Sequence, residues 1–394
     1  MEKIRLGIIG IGNMGSGHAG SVKNGSCPEF ELTAIADSNP DRLEWSKEQN
    51  YGDNIEYFSN ASEMIKSGKI DACIVAIPHY EHAKYAIECM KNNIHVMVEK
   101  PAGVYTLQAR EMNEEAEKHP DVVYAMMFNQ RTNCVYRKLR ELVQSGNYGE
   151  IRRTNWIITN WYRSQIYYDS GDWRATWSGE GGGVLLNQCP HQLDLWQWIC
   201  GMPKKIDAKL HFGKWHDIEV EDDVTAYVEY ENGATGVFIT STGDARGTNR
   251  FEIQMDKAKF VVENDKLIME EFEMSEPEFS RTNTQPFGGV KATVTEVETD
   301  GKNPQHVGVI NAWGDAILRD GKLVAEGKEG INGLMISNAM HLSAFLDQAI
   351  ELPFDEELYY NELMKRVKTS RKKDNVKAVF SDTEGSFEWN RKDK

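Results

Sequence analysis

Leu6-Gly7-Ile8-Ile9-Gly10-Ile11-Gly12-Asn13-Met14-Gly15 is the stretch that decides the fold of this 394-residue chain. An apolar run breaks into a GxGxxG turn, and residues 15–23 beyond it read as a helix. That order of strand, glycine turn and helix makes the motif a dinucleotide-binding loop rather than a chance match. Gly10 permits the tight turn, Gly12 lets the backbone approach a pyrophosphate, and Gly15 lets helix and strand pack closely. Asn13 and Met14 open the helix, whose N-terminus offers free N–H groups and a positive dipole end to the phosphates. The next apolar run, residues 30–36, ends in Asp37. A carboxylate there pairs with ribose hydroxyls and repels a 2′-phosphate, so NAD is the expected cofactor and NADP the lesser alternative. Ser38 and Arg42 stand close enough to temper that preference.

Outward from this turn the pattern repeats. Apolar runs at residues 72–77, 95–98 and 122–128 alternate with helical stretches at 40–49, 61–66, 81–91 and 106–118. Near-continuously apolar strands, each followed by a helix, predict a parallel sheet covered on both faces, a doubly wound Rossmann domain over residues 1–128. After Asn129 the character changes. Segments at 151–161, 206–215, 223–230, 235–241, 251–255 and 260–263 are rich in Thr, Val, Tyr and Trp and alternate in polarity. They predict an α+β domain over 129–394 with a large, mostly antiparallel sheet and helices at 135–144, 191–200 and 332–349. The last of these is long enough to return and brace the first domain. Residues 273–305 read as a loop-rich excursion.

Composition narrows the function classes. A net charge of −16 repels phosphate backbones and anionic lipid, so neither nucleic acid nor membrane is an expected partner. The basic run at 365–373 sits beside Glu362 and Asp374 and reads as a solvated helix face. No stretch reaches the roughly 20 unbroken apolar residues of a membrane helix, and Met1-Glu2-Lys3-Ile4-Arg5 has no leader-like pattern. The six cysteines show neither a CxxC pair nor metal-ligand spacing, and no metal is expected; they read as reduced residues of a cytoplasmic protein.

Two clusters carry chemistry. Glu99-Lys100-Pro101 follows the strand HVMV, which puts a lysine at the carboxyl end of a parallel strand, where doubly wound sheets bind ligands. Its ammonium can stabilise developing alkoxide as hydride leaves, although a surface lysine capping a strand would look the same. The second cluster runs from Gly181-Gly182-Gly183 through Asn187 and Pro190 to His191 and Asp194. Three glycines leave room against the backbone, Pro190 suits a helix start, and His191 can take a hydroxyl proton near neutral pH. A lone histidine is more often a satisfied core residue. Asp194, between leucines, reads as structural or as an orienting partner. Between the clusters, residues 160–174 mix aromatic rings with Arg, Asp and Gln, as a polyhydroxylated ring requires. Tyr162, Arg163 and Tyr168 are the candidate substrate contacts, though an ordinary aromatic strand end remains the alternative.

With both clusters in place, the chain resembles the glucose–fructose oxidoreductase/inositol dehydrogenase/MocA (Gfo/Idh/MocA) family over nearly its whole length. The resemblance rests on the N-terminal fingerprint, Glu99-Lys100-Pro101, and Trp173-Arg174 through the glycine run to His191, Asp194-Leu195, Trp198 and Gly201. It implies that Lys100 and His191 flank the reacting carbinol. It also implies that Ala76, Ile77, Pro78, His79, Glu99, Lys100, Asn129, Trp173 and Arg174 contact the dinucleotide, and that the chain forms a homo-oligomer. Inositol-dehydrogenase-like members carry an aspartate where this chain has Asn187. Proton transfer would then fall on His191 helped by Lys100, with Asn187 binding substrate. The expected activity is NAD-dependent oxidation of a secondary ring hydroxyl of a sugar, sugar derivative or glycoside, C3 of a glucoside being one such position. A glycoside-cleaving enzyme that begins with the same oxidation and recycles its cofactor is one alternative, and a catalytically silent NAD-binding sensor is another.

Overall fold

The structure is a computed structural model that describes residues 3–371, 373 and 376; Lys372 of the basic run and the rest of the C-terminus lie outside it, as do Met1 and Glu2. The chain begins β1 (Ile4–Ile9), α1 (Asn13–Lys23), β2 (Phe30–Ala36), α2 (Pro40–Glu48), β3 (Glu56–Phe58), α3 (Ala61–Lys66) and β4 (Ala72–Val75). It continues through α4 (His82–Lys91), β5 (His95–Val98), α5 (Thr106–Lys118) and β6 (Tyr124–Met126). Among the described residues these six strands form one parallel sheet in the order β3-β2-β1-β4-β5-β6. The order reverses between β1 and β4, so the carboxyl ends of those strands border a crevice. β4 is buried along its whole length, as its unbroken ACIV predicts. β3 was not anticipated: it is three residues long, partly exposed and at the sheet edge, with no apolar run to announce it.

Past a 3-10 turn at Asn129–Thr132 come α6 (Cys134–Gln144), β7 (Ile151–Ile158), α7 (Gln165–Asp169), α8 (Pro190–Cys200), β8 (Lys205–Phe212) and β9 (Glu221–Glu229). Then follow β10 (Thr235–Ser241), β11 (Asn249–Met255), β12 (Ala258–Glu263), β13 (Lys266–Phe272), α9 (Glu276–Thr282) and β14 (Ala292–Glu296). The described chain closes with α10 (Gln305–Arg319), α11 (Gly330–Leu346), β15 (Ile350–Glu351) and α12 (Glu356–Val367). The second sheet runs β14-β13-β12-β11-β7-β10-β9-β8-β15, antiparallel except where β7 meets β10. Its inner face is aromatic: Trp156 stacks on Phe251 at 4.2 Å and Trp196 on Phe238 at 5.3 Å. The alternation along β7 is that of a half-covered strand, with Trp156 fully buried and its neighbour Ile157 exposed.

The excursion at 273–305 holds a short helix, α9, and an exposed edge strand, β14. Directly after it, α10 crosses back to the parallel sheet. Trp313 stacks on Phe30 at 5.3 Å and its Nε1 donates to the Val123 carbonyl at 3.2 Å. One face of that sheet is therefore completed by residues far outside 1–128, because burying Ile4, Leu6, Ile8 and Phe30 needs an apolar partner that α10 supplies. α11 packs on α5. Its buried Asn338 accepts from Thr106 N and donates to the Val104 carbonyl, both at 3.0 Å, clamping the start of α5.

Arg131 joins these parts. Its guanidinium grips Asp194 on α8 at 2.8 and 2.6 Å and reaches Glu329, just before α11, at 2.6 Å. Arg131 and Asp194 side chains are each 1% exposed. Removing one partner of a buried pair strands the other charge in the core. Asp194→Ala should therefore cost about 3–5 kcal/mol in urea unfolding, and a loss too small to measure would refute this role.

Candidate functional site

The crevice at the sheet's reversal is built from main chain first. Gly10 has φ +88°, and a Cβ there would lie 2.4 Å from the Ala76 carbonyl oxygen at the end of β4. A Cβ on Gly15 would lie 1.9 Å from the Gly10 carbonyl oxygen, so close strand–helix contact requires glycine at both places. Gly12 differs: its Cβ position meets no protein atom within 4 Å. That open shelf at the start of α1 is the one an anionic pyrophosphate needs, and the loop fits the group. Asp37 directly follows β2, and its carboxylate is already shared with the loop. Oδ2 accepts from Ile11 N at 2.9 Å and Oδ1 from Asn39 N at 2.8 Å. Ser38 is exposed, and Arg42 lies over the Trp45 ring at 5.5 Å.

Beyond β4, Ala76 and Ile77 are half-buried, Pro78 is exposed, and His79 is buried with its ring edge-on to Trp173 at 5.9 Å. His82 was not singled out in the sequence. Its two ring nitrogens sit 2.7 Å from the Ile77 carbonyl and 2.8 Å from the Pro101 carbonyl, tying the β4 and β5 turns together. Glu99, 4% exposed, meets His18 Nε2 at 2.7 Å. Burial pushes its carboxyl up, but the His18 bond and the charges of His18, His306 and Lys100 outweigh it and hold the group at about 2. His306 stands near His18, with ring centroids 5.7 Å apart; burial first, then His18 and Lys100, lower it to about 4 against the pull of Glu99. Asn129, also buried, donates to Gln305 Oε1 at 2.5 Å while its own Oδ1 lacks a partner.

Lys100 and the second cluster come together. Lys100 Nζ donates to the Asn187 carbonyl at 3.0 Å, one turn before α8 begins at Pro190. Burial lowers the Lys100 ammonium below its ordinary value; Glu99 and Glu180 oppose this, and Arg174 and Arg163 reinforce it. His191 is 5% exposed, its ring is edge-on to Phe128 at 6.3 Å, and its Nδ1 has no hydrogen-bond partner. Burial, then Lys100 and His306, push it well below the usual histidine range despite Glu99, so the imidazole is neutral. Unpartnered buried nitrogens are rare, and this one is consistent with a site that receives a ligand. Asp194 takes the structural part, held by Arg131.

The polar-aromatic segment divides. Arg163 and Arg174 both lie over Tyr167, at 5.1 and 4.7 Å, and Arg174 also lies over Trp173 at 4.5 Å. Tyr167 Oη accepts from Arg174 at 2.9 Å and from Gln188 at 3.2 Å. Tyr162 is exposed, whereas Tyr168 is buried with its hydroxyl donating to Thr242 Oγ1 at 2.7 Å, which leaves it little to offer a ligand. Sequence reasoning missed His18, Glu180, Gln305 and His306, and did not single out Tyr167 within residues 160–174. Only α10 carried a signal: Val309, Ile310 and Trp313 recur at helical spacing.

Gly12→Ala should change folding stability by less than about 1 kcal/mol yet weaken NAD at least about tenfold, a loss of 1.4 kcal/mol. Gly15→Ala should lower both. Calorimetric NAD titration beside thermal melting checks the pair, and equal behaviour of the two variants would refute the distinction.

Residues 4–127 match the family described as "Oxidoreductase family, NAD-binding Rossmann fold", and residues 136–261 match its "GFO/IDH/MocA C-terminal domain". The chain is 30% identical over 251 residues to D-glucoside 3-dehydrogenase of Escherichia coli, spanning 58% of this chain and 68% of that one. It is 27% identical over 271 residues to myo-inositol 2-dehydrogenase of Thermotoga maritima, spanning 66% and 75%. The WlbA dehydrogenase of Chromobacterium violaceum, solved with NADH and UDP-GlcNAcA, superposes with a TM-score of 0.77 at 25% identity, over 90% of this chain and 97% of that one. With a nucleotide loop, a lysine turn and a histidine helix meeting in one crevice, the chain belongs to the GFO/IDH/MocA family of oxidoreductases and carries its NAD-binding Rossmann fold.

Proposed function

We propose that the chain oxidises a secondary ring hydroxyl of a sugar, sugar derivative or glycoside, with C3 of a glucoside the leading position. The observation that carries this reading is the meeting of Lys100 with the Asn187 turn, beside a neutral His191 whose Nδ1 is unpartnered. Family membership and the likeness to D-glucoside 3-dehydrogenase support the substrate class. Gly10, Gly12 and Gly15 would hold the pyrophosphate and Asp37 the ribose, with Asn129, Trp173 and Arg174 toward the rest of the dinucleotide. NAD, when bound, supplies the hydride acceptor. His191 takes the hydroxyl proton as general base. The Lys100 ammonium donates to the same oxygen and stabilises its developing negative charge in a site shielded from water. Asn187 positions a neighbouring hydroxyl, since an amide can donate and accept but cannot act as a base.

A screen of sugars, polyols and glycosides with NAD and NADP, read by absorbance of the reduced cofactor, tests the reading. Reduction with a glucoside and with NAD is expected. Aglycone release without net reduced cofactor would favour the cleaving alternative, and silence with every compound the sensor. Lys100→Ala and His191→Ala should each lower kcat by about 100-fold or more while NAD affinity stays near that of the parent. Near-normal turnover in both would sink these roles.

The pH profile has a definite sign. His191 serves as base only when neutral, and its value lies well below 6.5. Lys100 offers a stabilising positive charge only while protonated, and its value lies below 10.5. Oxidation should therefore be level from pH 6.5 upward and decline before 10.5. A kcat still climbing steadily above pH 6.5 would place the base elsewhere.

A further inference from the structure

Asn187 brings no carboxylate to the crevice, but one meets it there. Glu180, 2% exposed, lies at the edge of the glycine run, and its Oε1 accepts from Asn187 Nδ2. Its Oε2 accepts from Ala175 N at 2.5 Å, and its main-chain oxygen lies 3.3 Å from His79 Nδ1. Asn187 is thus gripped from two sides, with Lys100 on its carbonyl and Glu180 on its amide nitrogen. An amide that gives an N–H to a carboxylate keeps its oxygen as an acceptor, the atom suited to a substrate hydroxyl. A glutamate so deeply buried is costly unless its charge is used, since desolvation opposes ionisation.

We propose that Glu180 is a positioning residue of this active site: it orients the Asn187 amide and sets a negative charge opposite Lys100. Several groups face it. Arg174 comes from the preceding turn, Lys100 from the β5 turn, Glu221 from the start of β9, Tyr168 from α7, and Lys373 from the C-terminal segment. Burial raises the Glu180 carboxyl, and Arg174 and the bonds from Ala175 and Asn187 only partly offset it, with Glu221 adding to the rise. In its ionised form Glu180 opposes the fall of the Lys100 ammonium, which burial and the two arginines drive down. The charge therefore keeps Lys100 protonated in the range where it must donate.

The kinetic side of this inference rests on the proposed oxidation; the electrostatic side does not, so the test has two arms. In the first, the full chain without substrate is labelled with acetic anhydride across a pH series, and Lys100 acetylation is read by mass spectrometry. Glu180→Gln should move the Lys100 midpoint to lower pH by about 1 unit. Adding Asn187→Asp in the same chain, which returns a carboxylate one side chain away, should move it back. Glu180→Asp keeps the charge and should keep the parent midpoint. An unmoved midpoint in Glu180→Gln, or one that Asn187→Asp fails to restore, overturns the proposal. In the second arm, with methyl β-D-glucopyranoside and NAD, Glu180→Asp should lower kcat at least about tenfold with KM little changed, because the shortened carboxylate no longer reaches the amide that aligns the hydroxyl. Parent kcat in Glu180→Asp overturns the positioning role, even where Glu180→Gln is too unstable to purify. Absence of turnover in the parent with the midpoint shift intact refutes the substrate reading and leaves the placement of Glu180 standing.

Discussion

The buried pair between Arg131 and Asp194 sets the geometry on which the crevice depends. Each charge in a water-free interior carries a desolvation penalty of several kcal/mol, so neither side chain can drift once the other is in place. Asp194 lies three residues after His191 on α8, and residues so spaced share a helix face. Anchoring Asp194 to the turn after β6 therefore fixes the rotation of α8 and, with it, the direction of the His191 ring. Glu329 draws the start of α11 to the same guanidinium. One arginine thus ties the turn after β6, α8 and the start of α11 together.

The same scarcity of water governs protonation. Lys100, His191 and His306 all fall below their ordinary values chiefly by burial, while Glu99 is driven to about 2 because the His18 bond and the neighbouring groups outweigh its burial. The crevice thus sorts its groups: a neutral imidazole, a weakened ammonium and a firmly ionised carboxylate. No single residue creates this order. It arises because His18 from α1, Glu99 from β5, His306 from α10 and His191 from α8 converge within one low-dielectric space.

The parallel half was legible because each of its main strands is an apolar run and each glycine of the loop has a steric reason. The antiparallel half was legible in kind, through alternation such as that around Trp156 and Ile157, though not in strand order, which no local pattern encodes. The candidate catalytic pair was readable from Lys100 at a strand end and His191 after Pro190. What escaped were residues whose importance is a matter of neighbours. β3 is too short to show a period, and α10 follows a long exposed excursion that hides its start. Glu180 is one glutamate among many acidic residues until its carboxylate is seen against the Asn187 amide. Tyr168 reads as a ligand contact in sequence, yet packing turns its hydroxyl to Thr242.

The amino-acid order by itself determined the nucleotide loop, the parallel sheet around it and the residue types available for alcohol oxidation, because each follows from local sterics and periodicity. Tertiary structure decided which of those residues share a crevice and in what charge state. That depends on elements far apart in the chain, α10 against β2 and the Asn187 turn against Lys100, and on the loss of water between them.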